Sequence, residues 1–357
     1  MNREDRLRRD IQYFSDNINM QKIFTVVLII LLLYFVFRGC FLVLDTASDE
    51  IFTEGNNPAI PTLDLYTAGT TTTPQLALFA GIAHGEVAGI FNLRIHLWKN
   101  PDELLANVLA GKGDIWIGHT EGFAMARKRR APVQILAFTS FRKFFIITSE
   151  KLKNWKDLDS QTVAYSPPGS PAVPLMEIIM KKSSVKIMLE PHETKELSLL
   201  MALGRIKAAI LPEPIVSHFI SRNKNFSVMA CVEDLFVMET GHNGSLPVAA
   251  IAVNEITARK YRGKIAKLQS VIINQSKKIA SEGEKASVYF PSYLYEYISK
   301  DSVSESLKRD RPSARYGDEV RDDLMAYLRI VHPDLFSGIN PIDRKSTRLN
   351  SSHFVPS

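Results

Sequence analysis

The sequence predicts an α/β protein of two lobes joined by a hinge, preceded by one N-terminal transmembrane helix. Three observations carry this expectation: a strand and helix order that runs through the chain twice, a hydroxyl-proline pair opening a helix at the same place in each copy, and one long apolar run near the N-terminus. Strands that alternate with helices point to parallel sheets with right-handed crossovers, because each helix packs back over the strand pair it connects.

The apolar run comes first. Residues 23–37 read IFTVVLIILLLYFVF, and after Arg38, Gly39 and Cys40 the run resumes as FLVL to Leu44. About 20 predominantly apolar residues span a bilayer, and Arg38 sits near enough to the far end to reach the headgroups. Arg3, Arg6, Arg8, Arg9 and Lys22 precede the run, so the positive-inside rule places the N-terminus in the cytoplasm and everything after Asp45 outside. Three fates fit the segment: an uncleaved anchor, a cleaved secretory signal, or a lipoprotein signal with Cys40 as the acylated residue. Phe37 and Arg38 depart from a lipoprotein site and no A-x-A cleavage site is evident, so the anchor is the first choice. Residues 1–45 are thus a cytoplasmic stub and membrane segment. Residues 46–61, polar with Gly, Asn and Pro, read as a linker.

The first copy, residues 62–158, opens with the alternating strand LDLYTAG from Leu63, and Thr73-Pro74 then starts a helix, Thr as N-cap and Pro preorganised for the first turn. The strand LRIHLW, the helix ELLANVLAG and the buried strand DIWIGH follow, with Glu121 just beyond. The second copy, residues 159–240, repeats the layout: TVAYS, PPG, Ser170-Pro171, a helix, VKIMLE, the helix ELSLLMALG, KAAIL, then Glu213. Two strand-like runs between the copies are assigned to the first lobe. Residues 241–341 return to that lobe through SLPVAAIAVNEI and end in helices at 261–281, 288–300 and 317–330 that cap the back of the lobes. The hinge is then expected at two crossings, near 156–161 and 238–246.

Residues 343–353, DRKSTRLNSSH, are what a common sequencing-adapter sequence encodes in frame, so residues 342–357 are read as a non-native tail. Its three basic residues against one acid lower the net charge of +6 by two, to +4. With 45% hydrophobic and 23% charged residues the chain is neither disordered nor polytopic, and a weak basic excess without a Lys/Arg stripe excludes nucleic acid as a partner. Cys231, in SVMACV, reads as a small buried hydrophobe. RKRR at 127–130 reads as a solvated helix end, and Trp98, Trp116 and Trp155 as core residues before ring-stackers.

In open α/β sheets a ligand binds beyond the carboxyl ends of the strands, where helix N-termini present free N–H groups. That rule selects Gly69, Thr70, Thr71, Thr72, Thr73, Thr120, Glu121, Thr139 and Ser140 from the first lobe, and Ser166, Gly169, Ser170 and Glu213 from the second. The hydroxyls favour an anion and the two carboxylates an amine or N–H donor, unless each Glu caps its own helix.

The stretches PDELLANVLAGKGDI, WKDL before TVAYSPPG, ALGRIKAAILPEP and PVAAIAVNEI together resemble the nitrate, sulfonate and taurine-type family of ABC-transporter substrate-binding proteins, from Leu63 to Pro341. The resemblance implies a type II periplasmic-binding-protein fold, a small-molecule ligand between the lobes, an ABC permease as partner, no cofactor and a monomer facing the periplasm or cell exterior. DLDSQ departs from the family's D-L-x-G-K, with Ser160 where Gly is usual. HExxH, a P-loop, G-x-S-x-G and metal-spaced Cys/His pairs are absent from the sequence, so an enzyme is not expected. The alternative rests on fold analogy alone: an enzyme of thiamine or menaquinone precursor metabolism.

Overall fold

The computed structural model describes residues 51–336, together with Arg6, Arg8 and Thr25. Apart from Thr25, the expected membrane segment lies outside the described residues, as does the tail at 342–357, and among the described residues no helix is long and apolar enough to cross a membrane. The chain divides into two units, Met1–Glu50 and Ile51–Ser357, and the second is the fold described below.

Its elements in chain order are β1 (Ile51–Glu54), β2 (Thr62–Ala68), α1 (Thr73–Ala83), β3 (Asn92–Trp98), α2 (Pro101–Leu109), β4 (Ile115–His119), α3 (Thr120–Lys128), β5 (Val133–Ser140) and β6 (Phe144–Thr148). There follow β7 (Thr162–Tyr165), α4 (Ala172–Ser183), β8 (Met188–Pro191), α5 (Thr194–Ala202), β9 (Ala208–Pro212), α6 (Ile215–Arg222), β10 (Ser227–Cys231) and α7 (Val232–Thr240). The last are β11 (Ala249–Asn254), α8 (Glu255–Lys260), α9 (Arg262–Glu282), α10 (Lys300–Ser306) and α11 (Arg321–Val331).

Two sheets result, ordered β1-β3-β2-β4-β11-β5 and β10-β6-β9-β7-β8. In the first, β3, β2 and β4 are parallel; in the second, β8, β7 and β9 are. These are the two sets of repeated strands. Each sheet is mixed rather than parallel, because β11 runs antiparallel between β4 and β5, and β6 runs antiparallel between β9 and β10.

Period-two burial shows why these segments are strands. In β4, Ile115 and Ile117 join the core under α1 and α9 while Trp116 joins the core on the opposite face; in β9, Ala209 and Leu211 face α5 and α6 while Ala208 and Ile210 face α4 and α7. The cluster holding Trp116 runs without a break into the second sheet through Phe144, Ile146 and Ile210.

Three expectations are corrected. Both strand-like runs between the copies were assigned to the first lobe, but FFIIT pairs as β6 with the second sheet, so the chain changes sheets at 141–143, ahead of the 156–161 expected. All five residues of β6 are buried, so the run has no polar face to report which sheet it joins. The linker at 46–61 is not linker throughout, since Ile51–Glu54 pairs antiparallel with β3 at its edge. A helix at 288–300 does not form: Pro291 disfavours helix in the residue before it and has no N–H to donate, and short 3-10 turns at Gly283–Tyr289 and Ser292–Tyr295 replace it.

The C-terminal helices reach both lobes. Helix α9 packs on α1 of the first, α10 on α6 and α11 on α4 of the second.

Ser160 keeps the turn that Gly would make, with φ +61° and its N–H on the Lys186 carbonyl at 2.6 Å. A left-handed L-residue costs about 1–2 kcal/mol, partly offset by the entropy a Gly loses on folding, so Ser160→Gly is expected to gain about 0.5–1 kcal/mol. Urea unfolding midpoints of the two proteins check this.

Candidate functional site

A cavity of about 620 Å³ lies between the carboxyl ends of the two sheets. The β2–α1 loop brings Ala68, Thr70, Thr72 and Pro74; β3 and β4 end there in Trp98, Lys99, Ile117, Gly118 and His119. From the second lobe the β7–α4 loop brings Pro167 and Pro171, the first turn of α5 brings Thr194 and Lys195, and the β9–α6 turn brings Glu213, Pro214 and Ile215. Both helix-opening prolines, Pro74 and Pro171, therefore face one hollow. Tyr297 and Ile298, from the segment after α9, close its edge. Gly118 in this wall has no room for a side chain, since a β-carbon there would overlap Leu104.

Of the residues chosen from sequence, Thr70, Thr72 and Glu213 line this cavity. Gly169, Ser170 and Glu121 instead line a neighbouring hollow of about 250 Å³ that shares Pro101, His119 and Pro171 with the first. Gly69 sits behind the lining with its N–H on the Trp98 carbonyl at 3.3 Å. Thr71, Thr120 and Thr139 are buried at the cleft end of the first sheet with hydroxyls that have no hydrogen-bond partner among the described residues, a frequent mark of hydrated or ligand-facing ground. Thr73 donates to the Asp310 carbonyl at 3.5 Å, Ser140 to Asp310 Oδ1 at 3.3 Å, and Ser166 shares a 2.8 Å bond with Thr194.

The two glutamates are committed elsewhere. Glu213 accepts the Ser217 N–H at 3.0 Å, capping α6, and Arg309 Nε at 2.6 Å; burial pushes its carboxyl up and the Arg309 charge pulls it back. Glu121 accepts the Tyr327 hydroxyl and bonds His332 Nε2 at 2.9 Å, tying α3 to the end of α11. Burial raises the Glu121 carboxyl, and the bond to Glu121 raises His332.

Sequence reasoning missed Lys99, His119, Lys143, Lys195, His218 and Arg222, all in the cavity wall. The strand-end rule reaches Lys99 and His119 directly, one residue past β3 and the last of β4. Arg222 carries no such signal, since it ends α6 and comes back to the cavity only through that helix's packing. Burial, then the Lys143 charge, pushes His119 down to about 4, so its ring is neutral at pH 7. Lys143 Nζ is buried, donating to the Glu213 carbonyl at 2.5 Å and facing Asp310 Oδ2 at 3.3 Å. Lys99, Lys195 and Arg222 are exposed at the rim, and none of the three pairs with a carboxylate among the described residues.

The class of fold these features define is found in solved structures. The periplasmic aliphatic sulphonate binding protein of Escherichia coli superposes with a TM-score of 0.62 at 11% identity, over 84% of this chain and 93% of that one. An ABC transporter structure from Parabacteroides distasonis gives 0.60 at 14%, covering 84% and 99%. A Candida albicans gene product described as having the generic periplasmic binding protein structural fold gives 0.54 at 14%, covering 83% and 95%. No protein-family model and no curated protein matches the sequence. At these identities the likeness establishes the fold: this chain has the periplasmic-binding-protein fold, with its cavity where the two sheets meet.

Proposed function

We propose that the chain is the extracytoplasmic solute-binding component of an ABC importer, taking a small organic molecule or oxyanion into the cavity between its lobes and passing it unchanged to a permease. The carrying observation is the shared cavity itself, closed from both sides by the loops that lead into Pro74 and Pro171. Its size falls in the 300–1,000 Å³ range of small-molecule sites. The sulphonate-binding and ABC-transporter neighbours of the same fold support this assignment. In the same reading the apolar run at 23–44 anchors a monomeric receptor to the membrane, which raises its effective concentration at the importer.

Binding without chemistry fits the site's titratable groups. Glu213 and Lys143 are held in structural pairs and His119 is neutral with Phe144 stacked 6.2 Å from it, so none stands as a nucleophile beside a base. Thermal denaturation of the protein with nitrate, taurine, larger sulfonates, pyrimidines and amines tests the reading. A true ligand at 100 times its Kd is expected to stabilise the fold by about 2.7 kcal/mol, and no shift with any small molecule would remove the receptor assignment.

A further inference from the structure

The cavity is electrically graded. Its interior surface is built from Ala68, Ile117, Phe144, Phe219 and Ala249, all buried and apolar. The charged side chains at the inner end already have partners. Gln75 Oε1 accepts the Thr72 N–H at 2.7 Å at the start of α1, Glu213 accepts the Ser217 N–H of α6, and Pro74, Pro171 and Pro214 have no N–H to offer. Lys143 is neutralised by Asp310. The starts of α1 and α6, which would ordinarily attract an anion, are therefore filled by the chain's own side chains.

The positive charge without a carboxylate partner among the described residues lies outside, at Lys99 from the first lobe and Lys195 and Arg222 from the second. Lys195 Nζ stands over the Tyr297 ring, 4.5 Å from its centroid, joining α5 to the segment that closes the cavity's edge. Resting on the receptor reading, we infer that the ligand is an organic anion with a bulky apolar body, which enters body first, and that its charged end stays at the rim among Lys99, Lys195 and Arg222. Nitrate, or the small zwitterion taurine, would fill little of about 620 Å³ and would reach no unpaired cation inside among the described residues.

The test measures binding to the full chain by calorimetry with 2-naphthoate, the uncharged 2-naphthol, taurine and nitrate. The expected result is binding of 2-naphthoate at least 10-fold tighter than of the other three. The triple variant Lys99→Gln, Lys195→Gln, Arg222→Gln is expected to lose at least 10-fold for 2-naphthoate and to leave 2-naphthol within 2-fold. Unchanged 2-naphthoate affinity in that variant would overturn the rim assignment. Taurine or nitrate binding as tightly as 2-naphthoate would overturn the inference and leave the receptor reading standing, as would 2-naphthol matching 2-naphthoate. Failure of every compound in this set and in the thermal-denaturation series above overturns both.

Discussion

Asp310→Asn is expected to destabilise the protein by about 3–5 kcal/mol, the cost of leaving a buried charge without its partner. Lys143 and Asp310 have side chains only 5% and 1% exposed, and their ion pair joins the 141–143 crossing to the chain after α10. Burial raises the Asp310 carboxyl and the Lys143 charge opposes that rise, so the pair is held by mutual compensation rather than by solvent. Asn keeps the shape and the bond to Ser140 but removes the charge that balances Lys143. Replacing both partners, Lys143→Met with Asp310→Leu, is expected to recover most of the loss, because apolar groups of similar volume need no compensation. Urea midpoints of the single and double variants decide it: a double variant no more stable than Asp310→Asn would show that the site needs the pair itself.

Glu233 governs the expected pH response. Its carboxylate accepts the Lys143 N–H at 2.9 Å and the Phe144 N–H at 3.2 Å, and Cys231 donates to it at 3.2 Å, so one buried side chain anchors the first residues after the sheet change. Burial pushes the carboxyl up to about 7, opposed first by the bond from the Lys143 N–H. A carboxyl whose folded pKa is raised binds more protons in the native state, so its contribution is fully present below about 4.5 and is lost as pH rises through 7. The stability difference between wild type and Glu233→Gln should therefore shrink by about 3 kcal/mol between pH 4.5 and 7.

His119 works the other way. Lowered to about 4, it contributes above its unfolded value of 6.5 and is lost as pH falls through 4, so the two groups oppose each other over most of that window. The wild-type profile alone would hide both. A pH-independent difference between wild type and Glu233→Gln would mean that Glu233 titrates near the ordinary carboxylate range.

The repeated strand and helix order was legible because each unit carries its own punctuation: Thr73-Pro74 and Ser170-Pro171 at helix starts, Gly111 and Gly204 at left-handed φ after α2 and α5. The place of the cavity followed from the strand-end rule, and both prolines reached it. Illegible features depend on partners far along the chain. Nothing near Glu213 in the sequence shows that Arg309, 96 residues on, takes one of its oxygens, nor near Glu121 that Tyr327 and His332 do the same. The short strand at Ile51 has four residues in a polar stretch, too few to show a period. The fully buried β6 carries no pattern that names its neighbour.

The insertion of β11 between β4 and β5 also bears on how the molecule is made. Ile117 waits for Ile251, and at about 5–20 residues per second a ribosome takes on the order of ten seconds to deliver that stretch. Through that interval an apolar β4 has a vacant hydrogen-bonding side, open to any extended segment that drifts by. Refolding from denaturant is therefore expected to be slow and to aggregate more readily at high concentration.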